Sequence, residues 1–313
     1  MASLEQVIGR LSEFWRERGC VPVASSGLPL PVGLMHPRAF FGLLGTGPWR
    51  AAWLQPVHRP MDVRHGRHPF RTGRHLQFQV VLREPPAGEV RGWYLDSFAH
   101  LGLDRSVRDF RLLDLKWGLA SLGASGRGWR LKVDGLGVGR LIFLETLGGQ
   151  TLDPPPVEIS YGVEYVAMAR DAAASDGDVF TLPWRNDGEV VGPGYDPLRR
   201  LEEEELSRYA AEVAGVDHLR RTFEGLVAEA RRCLDAGLAG PAYELAVQAV
   251  PMLDLLSVRG ELQAQGRAAG LAEVRGLVGG AASLFRTGQG SPPKPKPETR
   301  VTPDPGTGDS DGE

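Results

Sequence analysis

Apolar residues recur along this chain with two periods, and the switches between them mark out its elements. Leu4, Val7, Ile8, Leu11, Phe14 and Trp15 fall at i, i+3, i+4 and i+7, which predicts an amphipathic helix over 3–18, ended by Gly19. Residues 20–35 are rich in Pro and Gly and read as a loop; His36 then opens a short helix, HPRAFFGLL. RAAWLQPV (50–57) reads as a buried strand and HLQFQVVLRE (75–84) as a second one, joined by a polar, basic loop. A helix follows over 89–102, with Val90, Trp93, Tyr94 and Phe98 on one side, then strands over 108–117, 127–135 and 139–147. Val157, Ile159 and Tyr161 alternate like a strand, Gly162 breaks the run, and Val163, Val166, Ala167 and Arg170 resume at helical spacing. Strands in hairpin-like succession with helices outside predict an α+β domain built on a mostly antiparallel sheet flanked by helices.

After residue 198 the period is helical. Residues 199–286 predict a bundle of about four helices, in which Leu219, Phe223, Leu226, Ala230 and Cys233 make one apolar face. Glu203 with Ser207, or Glu205 with Tyr209, fit a single helix face. The stretch 287–313 carries six prolines and almost no large apolar residue, so it is expected to be a disordered tail. The expected organisation is therefore a sheet domain over 1–198, a helical domain over 199–286 and the tail.

Composition excludes several classes. With 313 residues, 42% hydrophobic and 24% charged, the chain has globular composition and a net charge of −3, so no global basic field recruits nucleic acid. The N-terminus is too polar for a signal peptide, and no apolar stretch approaches the ~20 residues of a membrane span, so the expected compartment is the cytoplasm. Cys20 and Cys233 lie in apolar surroundings and read as reduced thiols.

Two stretches carry candidate chemistry. The loop 58–75 gathers His58, Arg59, Arg64, His65, Arg67, His68, Arg71, Arg74 and His75 against a single acid, Asp62. It reads either as a grip for a polyanion, a nucleoside triphosphate or nucleic acid, or as a solvated charged hairpin. A metal site is disfavoured there, because the arginines repel a cation. The second stretch is YGVEY (161–165), where a strand turns on glycine into a helix and Glu164 and Tyr165 occupy the first turn. Such helix N-termini often face an anion.

The order strand–arginine–loop–strand, then strand–glycine–helix, resembles motifs 2 and 3 of class II aminoacyl-tRNA synthetases. More closely, the chain is similar to the α subunit of bacterial heterotetrameric glycyl-tRNA synthetase. FWRERGC (14–20), HPRAF (36–40), PWRAAWLQPVHRPMDVRHG (48–66), QFQVVL (77–82), LGASGRGWRLKVDG (122–135), EISYGVEYVAM (158–168) and PAYE (241–244) carry the likeness, which runs from about residue 4 to 286. The resemblance implies the class II fold and ATP as cofactor, with Mg²⁺ accompanying bound ATP. It implies Arg59 at the α-phosphate, Arg74 on the adenine side and Phe78 as the ring stacked on adenine. Arg59 and Glu164 would be the catalytic residues of an active member. It also implies a homodimer, and a β subunit that supplies much of the tRNA recognition. Read from the residues alone, Phe78 equally suits sheet core, and Arg59 a salt bridge to Asp62 or Glu164.

The departures fall on the substrate side. Where the family has glutamine, aspartate and glutamate after its glycine-cysteine pair, this chain has Ala24, Gly27 and Pro29. The family's W-E-S-P-T is Trp117-Gly118-Leu119-Ala120-Ser121, and acidic or amide positions have become Arg130, Gly137, Arg140, Glu145 and Thr146. The motif 3 arginine is Tyr165. Glycine and proline side chains cannot accept a hydrogen bond from an ammonium, added arginines repel it, and a neutral phenol cannot fork onto a phosphate. The packing residues Trp117, Gly123, Trp129, Gly148 and Gly149 remain. The expectation is a diverged paralogue that has lost glycine activation and keeps a binding, regulatory or assembly role, with Tyr165 plugging the γ-phosphate position. The alternatives are a ligase repurposed to adenylate another carboxylate, and a working α subunit with a β partner.

Overall fold

The computed structural model describes residues 3–86, 88–170, 178–184 and 198–288. The expected tail thus lies outside the described residues, except for Thr287 and Gly288, which complete the last helix.

The N-terminal stripe forms α1 (Leu4–Glu17), whose first turn is capped by the Ser3 hydroxyl accepting the Gln6 amide at 3.2 Å. The Pro- and Gly-rich stretch that follows is not all loop. It holds a two-residue strand, β1 (Val21–Pro22), and a 3-10 turn at Gly33–Met35. α2 (Pro37–Leu44) begins on proline, with the His36 ring accepting the Arg38 amide.

β2 (Trp49–His58), β3 (Arg74–Arg83), β4 (Phe110–Leu119), β5 (Ala124–Val133), β6 (Leu136–Leu147), β7 (Gln150–Thr151) and β8 (Val157–Gly162) complete the strands, with α3 (Val90–His100) between β3 and β4. They form one sheet in the order β1-β2-β3-β8-β6-β5-β4, with β7 paired to β6. Every pairing is antiparallel except β1 with β2. Because β8 inserts between β3 and β6, the glycine that ends it lies beside the start of β3, at the mouth of the basic loop.

Each face of the sheet has its own core. On one, α1, α3 and α4 (Val163–Arg170) cover Phe78, Val80, Leu141 and Tyr161. On the other, α2, α6 (Val216–Asp235), α7 (Ala239–Val258) and α8 (Ala264–Gly288) cover Trp53, Val81, Ile142 and Leu144. Tyr243 of α7 stacks on Phe40 of α2 at 4.1 Å and donates to the Met35 carbonyl at 2.9 Å. The C-terminal helices therefore share a core with the sheet and form its second layer. Among the described residues no helix is long and apolar enough to cross a membrane. Both cysteines are free, and burial pushes the Cys20 thiol up to about 12.

The basic loop is closed by a helix far along the chain. α5 (Leu198–Arg208), which runs on into a π turn at Tyr209–Val213, turns Glu203 and Ser207 inward and leaves Glu205 and Tyr209 exposed. The fully buried Glu203 carboxylate accepts the amides of Gly73 at 2.6 Å and Arg74 at 2.9 Å, and Arg199 pairs with it at 2.8 Å. Ser207 accepts the His65 amide at 2.8 Å, and Arg200 donates to the Gly66 carbonyl at 2.7 Å. His65 and Gly66 both have positive φ, 52° and 63°, so the chain reverses sharply there. At the strand ends, burial and then the charges of Arg74 and Arg199 push the His58 ring down to about 4. Burial and the charges of Arg59 and Arg199 push His75 well below the usual value.

Glu203→Ala leaves two buried amides without their acceptor and removes the closer of the two carboxylates that pair with Arg199, so it should lower unfolding stability by about 3–5 kcal/mol in urea titrations. A loss under about 1 kcal/mol would place Glu203 among exposed ion pairs and contradict this role. His58 is neutral when folded, and its unfolded ring takes up a proton below the usual value of 6.5. Stability should therefore fall as pH drops from 6.5 to about 4 and stop falling on this account below that. Urea titrations across that window should give a shallower acid limb for His58→Asn; an unchanged slope would show that the ring is not the cause.

Candidate functional site

The sheet face beneath the C-terminal helices carries a patch of polar groups within apolar surroundings. Side chains alternate along a strand, so His75, Gln77 and Gln79 of β3 share this face. Register extends the patch sideways: Trp53, Gln79, Ser160, Arg140 and Arg130 stand opposite one another across β2, β3, β8, β6 and β5. The Gln77 side-chain Oε1 accepts from the Gly33 backbone amide and from the Gln79 side-chain Nε2, both at 3.0 Å, and its Nε2 lies 3.3 Å from His75 Nε2. A Cβ at Gly33 would sit 2.4 Å from Gln79 Cγ, so only glycine lets that turn lie on the patch. Gln79 is wholly buried, and its Oε1 has no hydrogen-bond partner among the described residues.

Glu158 is the charged floor of this face and is fully buried. Arg140, on the neighbouring strand, binds both its oxygens, Nε to Oε2 and Nη2 to Oε1, each at 3.2 Å. The guanidinium also lies over the Trp117 ring, 5.1 Å from its centroid. A buried carboxylate without a partner would be costly, and this fork pairs its charge and gives each oxygen a donor. Arg130, directly across from Arg140, stays exposed.

At the start of β3 the two motif-like segments meet. Arg59 donates through Nε to the Pro31 carbonyl at 2.8 Å and stands 3.9 Å from Asp62. Burial and the nearby charge of Arg140 lower its pKa, while Asp62 and Asp254 of α7 oppose that shift. Glu164 is buried and accepts the Leu76 amide through both oxygens, at 2.8 and 3.1 Å, so it fixes backbone. The Tyr165 ring folds back on Gly162, where a Cβ would come within 2.6 Å of its Cδ2. Its hydroxyl donates to the Phe70 carbonyl in the basic loop. Burial, and secondarily the charge of Glu164, push its pKa up to about 12, so the phenol is neutral.

Arg74 lies apart from this cluster. With Gly27, Pro29, His58, His75 and Arg199 it lines a cavity of about 440 Å³, and its guanidinium has no ion pair among the described residues. Phe78 joins neither group. It is the immediate neighbour of 77 and 79 in the strand, so it points to the opposite face, where it is 2% exposed and its ring lies 6.3 Å from Tyr161. Of the two readings open for it in the sequence, sheet core is its position here. Gly118 stands near the end of β4 and Gly137 at the β5–β6 turn; a Cβ at Gly137 meets nothing within 4 Å. The residues that sequence reasoning passed over are Glu158 and, in β3, Gln77 and Gln79, which share a face with His75. The signal of the two glutamines was present in HLQFQ, where polar residues alternate inside an otherwise apolar strand.

Comparison with known proteins places the chain. Two solved structures from Desulfitobacterium hafniense are similar to it: PylSc, described as a pyrrolysyl tRNA synthetase, and a pyrrolysyl-tRNA synthetase. The first is 14% identical with a TM-score of 0.38, over 54% of this chain and 67% of that one. The second is 14% identical with a TM-score of 0.35, over 54% and 70%. The family described as glycyl-tRNA synthetase alpha subunit matches residues 4–289. By that match, which spans nearly all of the chain, this protein belongs to the glycyl-tRNA synthetase alpha subunit family, with the helix-flanked antiparallel sheet and helical C-terminal part expected of it.

Proposed function

We propose that this family member does not activate glycine and serves as a binding or regulatory protein. The observation that carries this reading is the Arg140–Glu158 fork. A glycine site must offer its ammonium a carboxylate or amide, and the fully buried carboxylate on this face already has each of its oxygens bonded to a guanidinium. Freeing it would leave two desolvated charges to be re-paired by one small ligand. Tyr165 points the same way. It holds no charge, and its hydroxyl is committed to the Phe70 carbonyl. Losing one preorganised donor to a developing charge typically costs about 10²–10³ in rate.

The nucleotide side fits ATP in part. Arg59 is 30% exposed, with its Nε on the Pro31 carbonyl and its Nη1 3.9 Å from Asp62, and Arg74 is open on its cavity. Arg59 would hold the α-phosphate and Arg74 the adenine side of a nucleotide, with Mg²⁺ arriving on the nucleotide. The motif 3 position offers no cation for the last phosphate. A cytoplasmic homodimer is part of the proposal, with a β-subunit-like protein or tRNA as partner.

The test is pyrophosphate exchange with glycine and MgATP, run with the chain alone and with a family β subunit added. Background exchange in both is expected; exchange at a rate typical of a synthetase overturns the proposal. Tyr165→Arg by itself should leave exchange at background, because the glycine side stays closed. Recovery of roughly the 10²–10³ expected of one donor would mean that Tyr165 alone blocks activity.

A further inference from the structure

The cavity at Arg74 is floored by neighbouring cross-strand pairs of β2 and β3, Pro56 opposite Leu76 and His58 opposite Arg74. Parity sets these residues on the other side of the strands from Gln77 and Gln79. The loop at 26–29 and α5 wall the cavity, and its volume of about 440 Å³ suits a small ligand. Leu28, Pro29, Pro56 and Leu76 make the lining largely apolar. Its charges do not balance. Among the described residues the lining holds Arg74 and Arg199 against a single acid, Glu202, which Arg199 binds at 3.3 Å. Arg199 is shared further with Glu203, at 2.8 Å. Arg74 has no ion pair among the described residues, and its backbone is pinned by the Glu203 carboxylate at 2.9 Å. His58 adds no charge, because burial and the charges of Arg74 and Arg199 push its ring down to about 4. Arg74 thus sets one unanswered positive charge beside an apolar pocket.

We propose that this cavity binds a small organic carboxylate with an apolar body, the carboxylate forked by Arg74. The inference rests on the binding role proposed above and names what is bound. A guanidinium matches the two oxygens of a carboxylate and neutralises its one charge. A phosphate monoester brings nearly twice that charge, and the excess would be desolvated without a partner. An amine is repelled by the same guanidinium. The apolar lining takes the body, since covering it removes both surfaces from water. A nucleotide that reaches Arg74 competes with the carboxylate for it.

The experiment is a proton NMR titration of the full chain without nucleotide, so its outcome is independent of the pyrophosphate exchange test. Benzoate is the probe, and benzamide and phenyl phosphate are its neutral and more highly charged counterparts. Benzoate should saturate below about 10 mM, and both counterparts should bind more weakly. The groups facing His58 are Arg74 of β3, Arg199 and Glu202 of α5, and His75; the loop at 26–29 brings none. Bound benzoate offsets the Arg74 charge, so the His58 ring signal, assigned with His58→Asn, should titrate above the value of about 4 in the free chain. Arg74→Gln should weaken benzoate at least about tenfold. Gly27→Asp should do the same with Arg74 in place, by answering its charge from the wall; a Cβ at Gly27 meets nothing within 4 Å, so that variant covers a failure of the first to fold. Benzoate no tighter than benzamide, phenyl phosphate tighter than benzoate, a His58 titration that ignores benzoate, or affinity unchanged by both substitutions overturns the proposal.

Discussion

Two buried carboxylates meet the first amides of β3. Glu203 reaches them from α5 and takes Gly73 and Arg74, while Glu164 reaches them from α4 and takes Leu76. Backbone groups at the start of a strand must be satisfied once they are taken out of water, and here charge-assisted bonds satisfy them. Everything at the candidate site depends on this. The bonds fix where the basic loop ends, and so where Arg59 and Arg74 stand. They also tie the strand–glycine–helix segment and the C-terminal helices to one point on the sheet.

On that frame the polar face is closed by its own residues. Arg140 satisfies Glu158, Trp117 lies against Arg140, and Tyr165 ties the loop at Phe70. Gln79 Oε1 is the exception, buried without a partner among the described residues. An arginine now neutralises a buried acid, and a neutral phenol follows the glycine turn. Outside that face Arg74 lines an open cavity.

Much of this was legible in the sequence, and the limits have physical causes. Apolar periodicity located α1, the long strands and the later helices to within a few residues, because each buries one face. It could not show that α6 to α8 share the sheet's second core, since an amphipathic helix does not declare what covers it. The polar row of β3 was written in HLQFQ, but counting R-x-x-x-F from Arg74 selects the opposite parity and leads to Phe78, which the structure buries. Glu203 looked like one acid on a charged helix, and its role appears only once α5 is laid against the start of β3. The Arg140–Glu158 fork needs the β6–β8 register, which no local pattern encodes.

The central claim is that the glycine side of this face is filled by the protein itself. Titration calorimetry with glycine, with and without MgATP, tests it without relying on turnover. The account predicts no saturable heat up to about 10 mM glycine, above the 1 μM–1 mM range typical of enzyme KM values. A saturable glycine isotherm within that range would contradict it.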